Sequence, residues 1–290
     1  MSILEGIIMG IVQGITEFLP VSSSGHLALA RNLLGLDLAE GILFEVMVHL
    51  GTLLAIFAVY YKDIIQLFIE GLCIVRDFTI NVFKSGMGLL TNKKPEYRKV
   101  IDTPYRRFVM LVMVATIPTA IAGLFMKDHM DRLFNNLLVV GIALLVTATL
   151  LYITDKIKVG KKTEETTTYK NAFVLGLFQG LAIIPGISRS GSTIVGGLLN
   201  GLDKGFAIKF SFIMSIPPVL GATLLELRDV TESFDNMVSA PYLLGTLASA
   251  VVGFICIKTL IILLRNKKLH YFAYYCVVVG IVSIISSVIR

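Results

Sequence analysis

The 290-residue sequence contains no tryptophan, only three cysteines and little charge: Asp, Glu, Lys and Arg make up 16% of it, against about 25% in an average soluble domain. Hydrophobic residues make up 55%, and the mean hydropathy is +0.81. So little polar surface cannot cover a folded chain in water, which excludes a soluble globular enzyme and a disordered protein. The cysteines, Cys73, Cys256 and Cys276, follow no spacing motif and sit in apolar surroundings. That excludes a disulfide scaffold and a thiolate metal site. The N-terminus lacks a basic region, and Glu5, Gln13, Thr16 and Glu17 interrupt its apolar stretch, so it does not read as a signal peptide. Neither a Walker A loop nor a His-Glu-x-x-His pair is present. What remains is an all-α polytopic membrane protein.

Crossing a hydrocarbon core of about 30 Å takes roughly 20 apolar helical residues. Six stretches qualify: 43–61, 106–126, 136–154, 206–226, 241–264 and 271–289. Tyr60, Tyr61, Tyr105, Tyr152, Tyr242 and Tyr271 mark their ends as an aromatic belt would. Two further apolar stretches, 3–19 and 171–184, are shorter. Each runs into a polar Pro/Gly/Ser tip, Pro20-Val-Ser-Ser-Ser-Gly25 or Pro185-Gly-Ile-Ser-Arg-Ser-Gly191, and a second apolar piece follows at 26–36 or 192–202. This punctuation predicts two re-entrant helical hairpins, 3–36 and 171–202.

With both hairpins re-entrant, the loops 62–107, 155–170 and 265–268 share one side and hold seventeen Lys and Arg. The other side holds Arg31, Lys127, Arg132, Arg228 and Arg290. The positive-inside rule makes the first side cytoplasmic, with both termini outside. The net charge of +6 is thus a topology signal and does not point to nucleic acid. Opposite entry of the hairpins suggests an inverted repeat. Gly10-Ile-Val-Gln-Gly-Ile15 resembles Gly176-Leu-Phe-Gln-Gly-Leu181, and Ser22, Ser24 and Gly25 meet Ser188, Ser190 and Gly191 at the same 166-residue offset. The reading is therefore a first repeat over 1–154, a linker over 155–170 and a second repeat over 171–290. Residues 62–105 are a cytoplasmic-side insertion in the first repeat, read as an interfacial amphipathic helix or helix pair.

Charged groups inside a membrane are functional candidates by default. Gln13 and Glu17 share a helix face at i, i+4 and point toward Ser22, Ser23, Ser24 and His26. The second tip carries Ser188, Arg189, Ser190, Ser192 and Thr193. Arg189 and the helix start beside it suit phosphate oxygens, while the first tip can hold a cation, move a proton or supply a hydroxyl nucleophile. Together they outline a phosphoryl-transfer site. For any one serine, a backbone hydrogen bond explains it equally well. Glu45 and His49, also i, i+4, could face the same cavity or form a structural pair. Lys209, Glu226 and Lys258 lie toward span ends, where snorkelling explains them, and His129 and His270 read as solvated. A lipid or solute transporter is the alternative, because inverted repeats with broken helices are a transporter architecture.

Ser24-Gly-His26 and Ser188-Arg189 resemble the acid-phosphatase superfamily, but the His and Asp that it needs further on are Val195 and Leu199 here. Over most of its length the chain instead resembles the bacitracin-resistance type of undecaprenyl-diphosphatase. The likeness rests on Gln13-Gly-Ile-Thr-Glu17, continuing Phe-Leu-Pro-Val-Ser-Ser-Ser-Gly-His26, and on Pro185-Gly-Ile-Ser-Arg-Ser-Gly-Ser-Thr193. The resemblance implies an enzyme of the bacterial cell membrane that converts undecaprenyl diphosphate to the monophosphate, helped by Mg²⁺ or Ca²⁺, and it is compatible with a homodimer. It implies Glu17 as key carboxylate and metal ligand, His26 as catalytic histidine, Ser23 as candidate nucleophile and Arg189 as diphosphate clamp. Gln13, Ser22, Ser24, Glu45, Ser188, Ser190 and Thr193 would contact the substrate, with the site open to the outside. Position 13 is Gln where many relatives have Glu.

Overall fold

The computed structural model describes residues 1–34, 41–91, 94–158, 160–229, 239–265 and 268–289, without the side chains of 31–34, 41–42, 89, 91, 131, 226–229 and 265. Hairpin residues 35–36, Lys267, Arg290 and the side chains of Arg31, Glu226, Arg228 and Arg265, all used above, thus lie outside the described part. Eleven α-helices and no strand occur among the described residues. The first hairpin is α1 (Ile3–Phe18) and α2 (Ser23–Leu34). Next come α3 (Gly41–Thr91), α4 (Pro104–Met126), the short α5 (Met130–Phe134) and α6 (Leu137–Thr154). The second hairpin is α7 (Tyr169–Leu181) and α8 (Arg189–Leu199), followed by α9 (Lys204–Asp229), α10 (Ala240–Arg265) and α11 (His270–Ile289). Among the described residues, the helices long and apolar enough to cross a membrane are α3, α4, α6, α9, α10 and α11, matching the six stretches read from the sequence. The chain is a multi-pass membrane protein.

Packing is reciprocal between the halves. Helix α1 lies along α10, where Gly10 leaves room for the carbonyl of Gly245, and α7 lies along α4, where Gly176 leaves room for the carbonyl of Ala115. A Cβ on either glycine would sit 2.1 Å from that oxygen, so glycine is what lets the backbones approach this closely. The third spans of the halves, α6 and α11, pack on each other through Gly141 and Gly280.

The basic loops converge on one end of the bundle. Arg107 donates to the Thr167 carbonyl at 2.8 Å, Lys204 to the Leu264 carbonyl at 3.2 Å, and Lys162 to the Asn200 carbonyl at 2.9 Å. Both ends of the second hairpin are therefore at the basic end, as a hairpin that dips and returns requires. Two side chains differ from expectation. Lys209 pairs with Asp63 at 2.6 Å, and His270 bonds Asp155. Neighbouring elements brought a carboxylate to each, which burial favours over snorkelling or solvation.

Residues 61–91 form a second helix that follows the spanning one end to end across a kink at the non-helical Tyr60 (φ −110°, ψ 24°). Residues 94–103 then fold back along this extension, where Asn81 and the backbone of Arg98 exchange two hydrogen bonds of 2.8 Å.

Candidate active site

The two hairpin tips meet. The Gly186 N–H donates to Ser24 Oγ at 3.4 Å, and a Cβ on Gly25 would lie 3.2 Å from the Gly186 Cα. Each tip is shaped by one left-handed residue, Ser22 (φ 70°) and Gly186 (φ 99°). For a non-glycine this conformation costs about 1–2 kcal/mol. Ser22 offsets it locally: its Oγ accepts the Gly25 N–H at 3.2 Å, and its carbonyl accepts the His26 N–H at 3.2 Å and Nδ1–H at 2.7 Å.

Helix α8 starts at Arg189, three residues earlier than the spacing suggested, because Ser188 caps it by accepting the Gly191 N–H at 3.1 Å. Helix α2 starts at Ser23. Two helix N-termini therefore open onto the same spot, and both dipoles favour an anion there. Thr147 on α6 braces the second tip, donating to the Gly186 carbonyl and accepting from Ser188 N, both at 2.9 Å.

Glu17 is the hub of this junction. It is 8% exposed. Its Oε2 accepts from Gln13 Nε2 at 3.0 Å and from Ser23 Oγ at 2.7 Å, with His49 Nε2 at 4.0 Å. Its Oε1 accepts from Arg189 of the other hairpin. Of the residues singled out in the sequence, Gln13, Glu17, Ser23 and Arg189 are thus brought into direct contact, with His49 beside them. Ser22 and Ser24 face each other at 3.2 Å, as do Ser188 and Ser190 at 3.3 Å, behind the two tips. Thr193 bonds the Arg189 carbonyl and Ser211, so its hydroxyl holds the helix that carries Arg189. Glu45 sits one turn before His49 and offers it a backbone carbonyl at 2.8 Å.

His26 is held at both ring nitrogens. With Nδ1–H given to the Ser22 carbonyl, Nε2 is left to pair with the Tyr275 hydroxyl at 2.7 Å. Tyr275 was not legible as a site residue, since nothing distinguishes a tyrosine one turn into the last span from a belt residue. Thr147 and Ser211 were missed for a similar reason: hydroxyls inside spans usually bond their own helix.

The donor set fits a hard divalent cation. Gln13 Oε1 is buried without a hydrogen-bond partner, on the amide whose Nε2 bonds the Glu17 carboxylate, which the Ser23 hydroxyl also bonds. All three are oxygen ligands of the kind Mg²⁺ and Ca²⁺ take. No group of three or more His, Cys, Asp or Glu that could hold a metal occurs among the described residues. An ion here would need phosphate oxygens or water to complete its shell, the usual arrangement for Mg²⁺.

Residues 6–282 match the family described as bacitracin resistance protein BacA. The chain is 43% identical over 290 residues to an undecaprenyl-diphosphatase of Alkaliphilus metalliredigens, covering all of both chains. It is 42% identical to one of Methanosphaera stadtmanae, covering 100% of this chain and 99% of that one. It is 39% identical to undecaprenyl-diphosphatase 4 of Bacillus thuringiensis, covering 98% and 97%.

Proposed function

The chain belongs to the bacitracin resistance protein BacA family, and from that premise we propose that it hydrolyses undecaprenyl diphosphate to undecaprenyl phosphate and inorganic phosphate. This recycles the carrier lipid of cell-wall synthesis and removes the diphosphate that bacitracin sequesters. The observation that carries the reading is the Glu17–Arg189 contact between the two hairpin tips. A buried carboxylate, a guanidinium and two helix N-termini are costly to assemble within a membrane, and together they suit a diphosphate. The relatives above carry a phosphatase name, which favours this over a transporter.

Arg189 and the starts of α2 and α8 would take the diphosphate, while the isoprenoid chain stays in lipid. Ser23 already directs its proton at Glu17 Oε2. Transfer of that proton to Glu17 would accompany formation of the Ser23 Oγ–phosphorus bond and rupture of the bond to the undecaprenyl phosphate oxygen. Water would then cleave the phosphoserine, releasing phosphate and restoring the hydroxyl. Gln13 and Glu17 would hold the divalent ion, whose charge offsets that on the phosphoryl oxygens. His26, anchored at both ring nitrogens, keeps the first tip in register. The basic end of the bundle would face the cytoplasm, with both termini and the site toward the outside.

The direct test is phosphate release from undecaprenyl diphosphate by the purified protein. Release is expected with Mg²⁺ or Ca²⁺, falling at least about tenfold with EDTA and returning when the ion is restored. No release would overturn the function, and release indifferent to EDTA would overturn the metal. Tyr275→Phe removes one hydrogen bond, worth about 0.5–1.5 kcal/mol. It is expected to lower kcat roughly two- to tenfold with KM little changed; a shift in KM alone would show that Tyr275 does not act through His26.

A further inference from the structure

Helix α3 runs over 51 residues and is broken at Tyr60 into two helices, about 28 Å and about 46 Å long. A hydrocarbon core of about 30 Å needs only its first 20 or so. The helical break at Tyr60 falls where that length is used up. The extension beyond it has two opposite faces.

One face is closed by the protein itself. Arg106 reaches Glu70 at 2.8 Å and Asp77 at 3.0 Å, and Arg98 reaches Asp77 at 3.1 Å. Asp77 and Arg106 are buried beneath residues 94–103. The other face carries Ile65, Phe68, Leu72, Val75, Phe83 and Leu90, each between 55% and 85% exposed. At the regular helical advance these six fall within an arc of about 80°, which the equally exposed Phe78 and Val82 widen to about 140°, on the side away from Glu70, Asp77 and Asn81. Leu54 and Phe57 are exposed before the kink and Tyr61 just after it, so exposed apolar side chains flank the kink on both sides.

Charge adds a second constraint. Asp63, Glu70, Asp77 and Asp102 have cationic partners, and the exposed Glu96 is the one carboxylate of the segment that no ion pair among the described residues takes up. Lys62, Lys94 and Lys99 are exposed, and no carboxylate pairs with them among the described residues. The segment therefore presents an apolar strip on one face, with surplus positive charge at its start and on the opposite face, the pattern of a helix lying in an anionic membrane interface.

We propose that residues 62–103 form such an interfacial platform. The helix turns at Tyr60 and lies along the leaflet at the basic end of the bundle. Its strip enters the acyl boundary, and Lys62, Lys94 and Lys99 meet lipid phosphates. A second copy of the chain is the less suitable cover, since it would bring like-charged lysines together.

The absence of tryptophan makes the test clean. Full-length Phe68→Trp and Phe83→Trp each carry a single tryptophan on the strip, and Tyr97→Trp places one on the returning segment; none touches the candidate site. Each is reconstituted in vesicles of phosphatidylglycerol mixed with phosphatidylcholine brominated on its acyl chains. The strip tryptophans are expected to emit blue-shifted light and to be quenched at least threefold more by brominated lipid than Tyr97→Trp, which acrylamide should quench instead. Omitting phosphatidylglycerol, or combining Lys62→Gln, Lys94→Gln and Lys99→Gln, is expected to reduce the lipid quenching. Strip tryptophans open to acrylamide would overturn the proposal, as would shielding from both quenchers, which would indicate a second copy. Quenching indifferent to lipid charge would overturn the role of the lysines. Should one Trp variant misfold, the other still decides, and Leu72→Trp provides a third position on the same arc.

Discussion

Glu17→Gln and Arg189→Gln should each cut phosphate release by at least about 10²-fold, yet combining them should restore stability without restoring activity. Glu17 is almost fully enclosed, and Arg189 is its cationic partner across the two hairpins. Removing one member of a buried pair leaves the other charge unpaired, at a cost of about 3–5 kcal/mol. Each single variant should therefore melt well below the parent in detergent. In the double variant, two neutral amides can bond each other, and most of that loss should disappear. Catalysis should not return, because neither the base facing Ser23 nor the cation facing the phosphate is present; losing such a charge-stabilising group costs about 10²–10³ or more in rate. Recovery of activity along with melting temperature would mean that the pair only holds the hairpins together, and the catalytic assignment would fall.

The second large effect is expected from Gly186→Ala. At φ 99° an L side chain is strained, by about 1–2 kcal/mol. The added Cβ would also stand 2.5 Å from the Val140 carbonyl oxygen and 2.7 Å from the Ala143 Cβ. Neither belongs to a flexible chain end, so the tip must move. Gly186 is tied to Ser24 and Thr147, and Arg189 follows three residues later. A displacement of about 1 Å at a reacting centre can cost roughly 100-fold. We expect an activity loss of that order and a lowered melting temperature in protein that still inserts. Gly71→Ala is the control: a Cβ there meets nothing within 4 Å, so activity should be unchanged. Equal behaviour of the two variants would show that the tip has slack and that its geometry is not what positions Arg189.

Much of this architecture is legible in the order of residues because the bilayer is an unforgiving solvent. A span has to supply about 20 apolar residues, and a basic loop has to stay on one side. Those demands act locally, so they leave local marks. The meeting of Gln13, Glu17, Ser23 and Arg189 was foreshadowed the same way: polar residues at Pro- and Gly-marked tips have few other reasons to be there.

What stayed hidden depends on rotation about helix axes and on contacts between distant segments. Gln13 and Gln179 are equivalent in sequence, yet their roles diverge. Gln13 bonds the carboxylate one turn on. The position one turn after Gln179 is Ile183, and the Gln179 amide instead reaches the Met214 carbonyl, which Pro218 cannot serve because it has no N–H. The i, i+4 spacing of Glu45 and His49 placed them on one face of α3 but could not say that His49 would face Glu17. Nor could it say that the Nε2 of His26 would be met by Tyr275, 249 residues away. The break at Tyr60 carries no proline or glycine to announce it. Sequence alone determined that the chain crosses a membrane, how often, and which few polar residues it takes inside, because transfer free energy is additive along a helix. Tertiary packing decided which of those residues touch, because the azimuth of each helix is set by neighbours that are far away in the chain.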